Sequence, residues 1–194
     1  QRQMCIRDSK EAAGDKFLIS ACEAGLTGIA HYLLATSGVS VTDSAKKTAL
    51  INAIQSGNSS LVNLLITQVT DFNIRDDSGN NLIHLVSKSN RSAIRDIVLG
   101  PSGLGKFQKH SPSDSEPSVL QLLEQQNDEG QRPLEICVIH GHVDTARKLI
   151  DIGANPNAPD SKNKSLLLHA HYRGNMDMVN LLLEKGAKMT ASSS

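Results

Sequence analysis

Residues 132–157 read RPLEICVIHGHVDTARKLIDIGANPN, and the punctuation of this stretch decides the architecture. Pro133 suits the first position of a helix, where its missing N–H removes no intrahelical bond. Leu134, Cys137 and Val138 then recur at helical spacing and make one apolar stripe. Gly141 can take the left-handed conformation that ends a helix, and Ala146, Leu149 and Ile150 make a second stripe beyond it. Two helices this short cannot bury their stripes alone, so the unit must stack on neighbours of its own kind.

Such neighbours occur on both sides. The stretches GDKFLISACEAGLTGIAHYLLATSG (14–38), AKKTALINAIQSGNSSLVNLLITQVTDFN (45–73), GNNLIHLVSKSNRSAIRDIVLG (79–100) and NKSLLLHAHYRGNMDMVNLLLEKGAKM (163–189) follow the same plan. Their anchors Leu18, Leu50, Ile83, Leu134 and Leu167 lie 32, 33, 51 and 33 residues apart, and the turn residues Gly25, Gly57, Asn90, Gly141 and Gly174 repeat those intervals. The long interval is one repeat plus an insertion of 18 residues. An all-α solenoid of stacked helix-turn-helix units follows.

At this point the residues resemble the ankyrin repeat, whose marks are a period of 33, a T-P-L-H-x-A-like first helix and a loop similar to G-A-x-x-N. The resemblance covers about residues 14–190. It implies short hairpin loops and units at about 10–42, 43–75, 76–127 with an insertion at 100–117, 128–159 and 160–190. Residues 1–9 fit nothing downstream and read as a leader outside the fold; 191–194 read as a tail. The family's helix-start threonine survives as Thr48, with Lys16, Asn81, Arg132 and Ser165 elsewhere, and its histidine survives as His84. Loss of those hydrogen bonds in most units implies modest stability.

The insertion opens with GPSGLGKF, residues 100–107. Gly100, Gly105 and Lys106 imitate a phosphate-binding loop, which needs a preceding strand, a following helix and a Ser or Thr for magnesium. Here a repeat helix precedes, Phe107 holds the magnesium position, and Pro112 and Pro117 interrupt the segment where the helix would run. The whole insertion is expected to be a flexible surface loop, with no nucleotide and no other cofactor. Ser111 precedes Pro112 and Ser113 lies three residues before Glu116, so both are candidate phosphorylation sites. After it, Val119, Leu120, Leu122 and Leu123 at helical spacing should repack on the stack.

Twenty basic side chains balance twenty acidic ones, so no overall field draws the chain to nucleic acid or to an anionic membrane, and no apolar run is long enough to insert in one. A cytoplasmic or nuclear monomer is expected. Three cysteines form neither a disulfide framework nor a zinc site; Cys22 and Cys137 read as buried. His140 with His142 and His169 with His171 sit two residues apart, which should point each pair in different directions. No metal site and no catalytic constellation is expected, and the chain is not read as an enzyme.

The resemblance implies that hairpin tips and first-helix ends line a concave face that binds protein. Carried over unit by unit, that face holds Gln55, Arg75, Lys88, Ile139, His140, Lys162, Lys164, Tyr172 and Arg173, with Lys47, Asn80 and Gln131 among their neighbours. An exposed Ile139 beside Tyr172 and Arg173 stands out as an anchor. With Lys162 and Lys164 nearby, the expected partner is an acidic, partly apolar protein or peptide. A competing view makes the repeats a targeting or regulatory segment of a larger, enzymatic protein, because Met176, Met178, Val179 and Leu181 to Leu183 leave the last helix as apolar as an internal one.

Overall fold

The computed structural model describes residues 2–36, 40–69, 71–106 and 118–188. Helices pair in chain order: α1 (Arg2–Glu23) with α2 (Thr27–Ala35), α3 (Asp43–Ser56) with α4 (Ser59–Ile66), and α5 (Leu82–Ser89) with α6 (Ser92–Val98). The single short α7 (Val119–Glu124) follows, then α8 (Pro133–His140) with α9 (Val143–Asp151) and α10 (Leu166–Tyr172) with α11 (Met176–Glu184). First helices pack on first helices from α1 through α3, α5 and α8 to α10, while α2, α4 and α6, and then α9 and α11, form the second layer. The five anchors Leu18, Leu50, Ile83, Leu134 and Leu167 are all buried between the layers.

The turns hold the period. Gly25, Gly57, Gly141 and Gly174 have φ of 71°, 80°, 75° and 69°, and Asn90 has 47°. At Gly57 the space is taken as well, since a Cβ there would collide with the Arg91 guanidinium. Arg91 is in that place because it donates to the Ser56 carbonyl of the preceding unit at 3.0 Å; His142, at the equivalent position, donates from Nδ1 to the Ser87 carbonyl at 2.7 Å.

Several expectations are corrected. Helix α1 begins at Arg2, within the segment set aside as a leader. Helix α3 begins at Asp43, capped by Thr42 accepting from the Ala45 amide, so Thr48 lies inside the helix and donates back to the Ser44 carbonyl at 3.1 Å. Thr42 also donates twice to the Asp15 carboxylate, at 2.8 Å and 2.7 Å, and so ties the second unit to the first. In the third unit Asn81 takes the missing threonine's part: it caps α5, accepts from the Ile83 and His84 amides, and forms a capping box with His84.

The first residues of the insertion are packed. The Gly103 and Gly105 amides both donate to the Gly100 carbonyl, at 3.1 Å and 3.0 Å, and Leu104 is buried in the core. These amides turn in on their own loop and away from any phosphate. Ser111 and Ser113 lie outside the described residues. Beyond the insertion α7 does repack, with Val119, Leu122 and Leu123 buried, but Leu120 stays largely exposed above Gly153.

The two ends of the stack differ. Phe17 aligns with Ala49, Leu82, Pro133 and Leu166, and Ile29 with Leu61, Ile94, Thr145 and Met178; all eight partners are buried, yet Phe17 is 66% and Ile29 50% exposed. The first unit therefore turns an inter-repeat face outward. At the other end Met178, Val179, Leu181 and Leu182 are buried, and of the last helix's apolar side chains only Met176 and Leu183 remain exposed. There His171 is exposed at the position of buried Cys22, Ile54, Ser87 and Val138, so a polar group occupies the outward face. Truncating Ile94 to Ala removes a buried side chain and should cost about 2–5 kcal/mol, whereas Ile29→Ala at the equivalent position should cost under about 1 kcal/mol; urea unfolding followed by circular dichroism distinguishes them.

Candidate protein-binding face

The loops between units 2 and 3, 3 and 4, and 4 and 5 share one turn. Asp76, Asn127 and Asp160 occupy equivalent positions, and each side chain accepts from backbone amides two and four residues ahead. Ser78 and Asn80 donate to Asp76 at 2.9 Å each; Glu129 and Gln131 donate to Asn127 at 3.1 Å and 2.9 Å; Lys162 and Lys164 donate to Asp160 at 2.9 Å and 2.7 Å. Backbone bonds of 2.8–3.0 Å from each of these residues to the carbonyl four ahead close the tip. The signal was in the sequence, as an Asp or Asn three residues before Gly79, Gly130 and Asn163, whose φ values are 71°, 74° and 63°.

Adjacent tips are bonded to one another. Asn127 Nδ2 donates to Asn80 Oδ1 at 2.9 Å and the Asp128 amide to the Ser78 carbonyl at 3.1 Å. Arg132 Nη1 donates to the Pro159 carbonyl at 2.8 Å, while the Ser161 amide and hydroxyl donate to the buried Glu135 carboxylate at 3.0 Å and 2.7 Å. His84 joins the same system from below: its Nδ1 accepts from the Asn81 amide, so Nε2 carries the proton and donates to the Gln131 carbonyl at 3.0 Å. Burial foremost holds the His84 pKa down at about 4.

The expected binding residues fall into two groups. Gln55, Lys88, His140, Lys162, Lys164, Tyr172 and Arg173 are exposed, Gln131 is half-buried, and Asn80 is buried within the tip network. Arg75 is engaged with carbonyls, donating to Gly79 at 3.0 Å and Gln126 at 3.2 Å, and Lys47 is paired with Asp71 at 2.6 Å. Ile139 is half-buried, a correction to its reading as an exposed anchor. Its carbonyl accepts from Arg173 Nη1 at 2.8 Å, and Arg173 Nε donates to His169 Nε2 at 3.2 Å. That leaves the proton on His169 Nδ1, 3.4 Å from the Asp160 carboxylate. His140 and His142 do come together, because the Gly141 turn folds one ring over the other with centroids 5.5 Å apart and planes at 19°. Desolvation, then His142, Lys88 and Arg173, lowers the His140 pKa.

Two grooves lie between the tips and the first helices. One of about 310 Å³ is bordered by Asn52, Gln55, Arg75 and Asp77. The other, about 250 Å³, is bordered by Asp160, Lys162, Lys164, Leu168, His169, Tyr172 and Arg173. Tyr172 stands at its edge, 75% exposed. Among the described residues no three His, Cys, Asp or Glu side chains are placed to hold a metal ion, and no helix is long and apolar enough to cross a membrane. Burial pushes the Cys22 and Cys137 thiols up to about 11 and about 12, consistent with their expected place in the core.

A tandem array with this period, turn chemistry and hairpin tip defines a repeat protein built for protein contact. The family model for ankyrin repeats (3 copies) matches residues 18–104 and 110–193, and the chain belongs to the ankyrin-repeat family. It is 28% identical over 161 residues to the mouse B-cell lymphoma 3 protein homolog, covering 82% of this chain and 33% of that one. The NF-kappa-B inhibitor cactus of Drosophila melanogaster is 28% identical over 129 residues, 60% of this chain and 26% of the relative. The phosphocholine transferase AnkX of Legionella pneumophila is 26% identical over 147 residues, 74% of this chain and 14% of the transferase. The chain thus spans a third or less of these relatives' lengths. In structure it is similar to the ankyrin repeat domain of Bcl-3, with a TM-score of 0.66 and 26% identity over 92% of this chain and 76% of that one.

His84 makes the stack sensitive to acid. Its folded pKa lies below the unfolded value, so between about pH 6.5 and 4 the unfolded chain takes up a proton that the folded chain does not, and stability falls as pH falls. At about 1.4 kcal/mol per pKa unit the loss approaches roughly 3 kcal/mol. Urea midpoints measured across that range should fall steeply in the parent and less steeply in His84→Gln.

Proposed function

We propose that this chain is a non-catalytic protein-interaction module, working in the cytoplasm or nucleus, that binds an acidic, partly apolar segment of a partner protein along the face between its hairpin tips and first helices. One observation carries the reading: Tyr172, 75% exposed, borders a groove whose walls supply Leu168 for apolar contact and, beside the internally bonded Asp160, Lys162 and Lys164 for positive charge. Exposed tyrosines in such settings are frequent anchors of binding energy. Arg173 serves this groove as a brace, since its guanidinium is held by Ile139 and His169. Because the tips are bonded to one another before any partner arrives, little ordering entropy opposes association. Relatives named as an inhibitor of NF-kappa-B and as a B-cell lymphoma 3 homolog are in keeping with a regulatory partner. Tyr172→Ala should weaken a partner isolated by affinity capture at least about tenfold in titration, with helicity unchanged. Equal affinity would move the site off this groove.

A second reading, in which the repeats are a targeting or regulatory segment of a larger protein, draws on the outward inter-repeat face at Phe17 and Ile29. A consensus ankyrin unit fused ahead of residue 10 should then raise the urea midpoint; an unchanged midpoint counts against it.

A further inference from the structure

The charges on the binding face are ordered along the stack. Lys47, Arg75 and Arg173 are already held, by Asp71, by the Gly79 and Gln126 carbonyls, and by Ile139 with His169. Asp76 and Asp160 are spent inside their tips, accepting from backbone amides, and Asp160 also faces His169. Among the described residues the other exposed tip charges stand in no ion pair; in register they are Asp77 on the first shared tip, Asp128 and Glu129 on the second, and Lys162 with Lys164 on the third. The first-helix ends follow the same order: Glu23 in unit 1, Gln55 in unit 2 and Lys88 in unit 3, leading to the Tyr172 groove in unit 5. Both rows start acidic and turn basic along the chain, the helix ends already at Lys88 in unit 3 and the tips only at Lys162, although the protein's net charge is +0.

Distance keeps the two signs apart. Packed helices lie about 8–10 Å apart, so Asp77 stands about 20 Å from Lys162 and Lys164, two units away, and Asp128 and Glu129 stand about 10 Å from them, one unit away. The screening length is about 8 Å at physiological ionic strength, so Asp77 acts on a ligand independently of the lysines and the nearer acidic tip lies about one screening length from them. A uniformly acidic segment would gain at Lys162 and Lys164 and lose at Asp128 and Glu129.

Building on the reading of this face as a binding surface, we propose that it selects and orients a charge-segregated partner segment, with basic residues over Asp77, Asp128 and Glu129 and acidic residues over Lys162 and Lys164. At about 3.3 Å per extended residue, roughly six residues separate the ligand positions over Asp77 and over the lysines, and roughly three those over Asp128 and the lysines.

The test uses two twelve-residue synthetic peptides of identical composition, one with a lysine block and a glutamate block six residues apart, the other with the charges interleaved. Each carries a nitroxide at its glutamate-rich or last glutamate position and is titrated into the ¹⁵N-labelled full chain at physiological ionic strength. The segregated peptide should bind at least about tenfold more tightly, and its label should broaden resonances of Lys162, Lys164 and Tyr172. In Asp128→Lys/Glu129→Lys/Lys162→Glu/Lys164→Glu the same label should move to residues 77–79 and 128–130. Equal affinity of the two peptides, or a label unmoved by the charge exchange, overturns the charge order while leaving the face as the site. Perturbations confined to other surfaces, or no binding by either peptide at millimolar concentration, overturn the proposal together with the face.

Discussion

Helices of seven to nine residues, such as α8, α9, α10 and α11, cannot persist alone in water, because nucleating them costs more than so few hydrogen bonds return. Everything else in this molecule depends on contact between neighbouring units. Stacking buries Leu18, Leu50, Ile83, Leu134 and Leu167 in one continuous core, and requires each helix pair to reverse at the same place with the same geometry. Left-handed turns at Gly25, Gly57, Asn90, Gly141 and Gly174 meet that requirement. Groups following the turns, Arg91 and His142, then lock one unit to the one before it.

The same constraint shapes the binding face. A tip that projects beyond the helices leaves backbone amides without helical partners, and Asp76, Asn127 and Asp160 satisfy them from within. Bonds from Asn127 to Asn80 and from Ser161 to Glu135 then join the second tip to the first and the third tip to helix α8. Side chains spent on this bracing are closed to a partner; those left over define what the face offers. Rigidity and selectivity thus come from one set of residues.

Much of this was legible beforehand. The period, the five units, the turn positions, the buried Cys22 and Cys137 and the repacking of α7 all follow from spacing, because each is a local property repeated at a fixed interval. The binding face was legible only as a region. Arg75 stays exposed and Asn80 is buried, and both are bonded to residues the sequence did not point to: their partners Gln126 and Asn127 stand 51 and 47 residues further along the chain. Ile139 read as exposed because its side chain lies at a helix end, but the stack covers half of it. Leu104 read as loop, whereas a tight turn onto the Gly100 carbonyl places it in the core.

By itself the sequence determined the class of fold, since a 33-residue apolar period with a turn residue at its centre can be buried in few ways other than by stacking. It also determined which residues stand at hairpin tips and helix ends. Only the tertiary structure decided which of those side chains remain open to a partner, because that depends on carbonyls and carboxylates brought alongside by the neighbouring unit. Tyr172, Lys162, Lys164 and Arg173 all kept their exposure, but the guanidinium of Arg173 is tied down as a brace between two units. Hydrogen bonding across a junction is a property of two repeats together, and no single repeat encodes it.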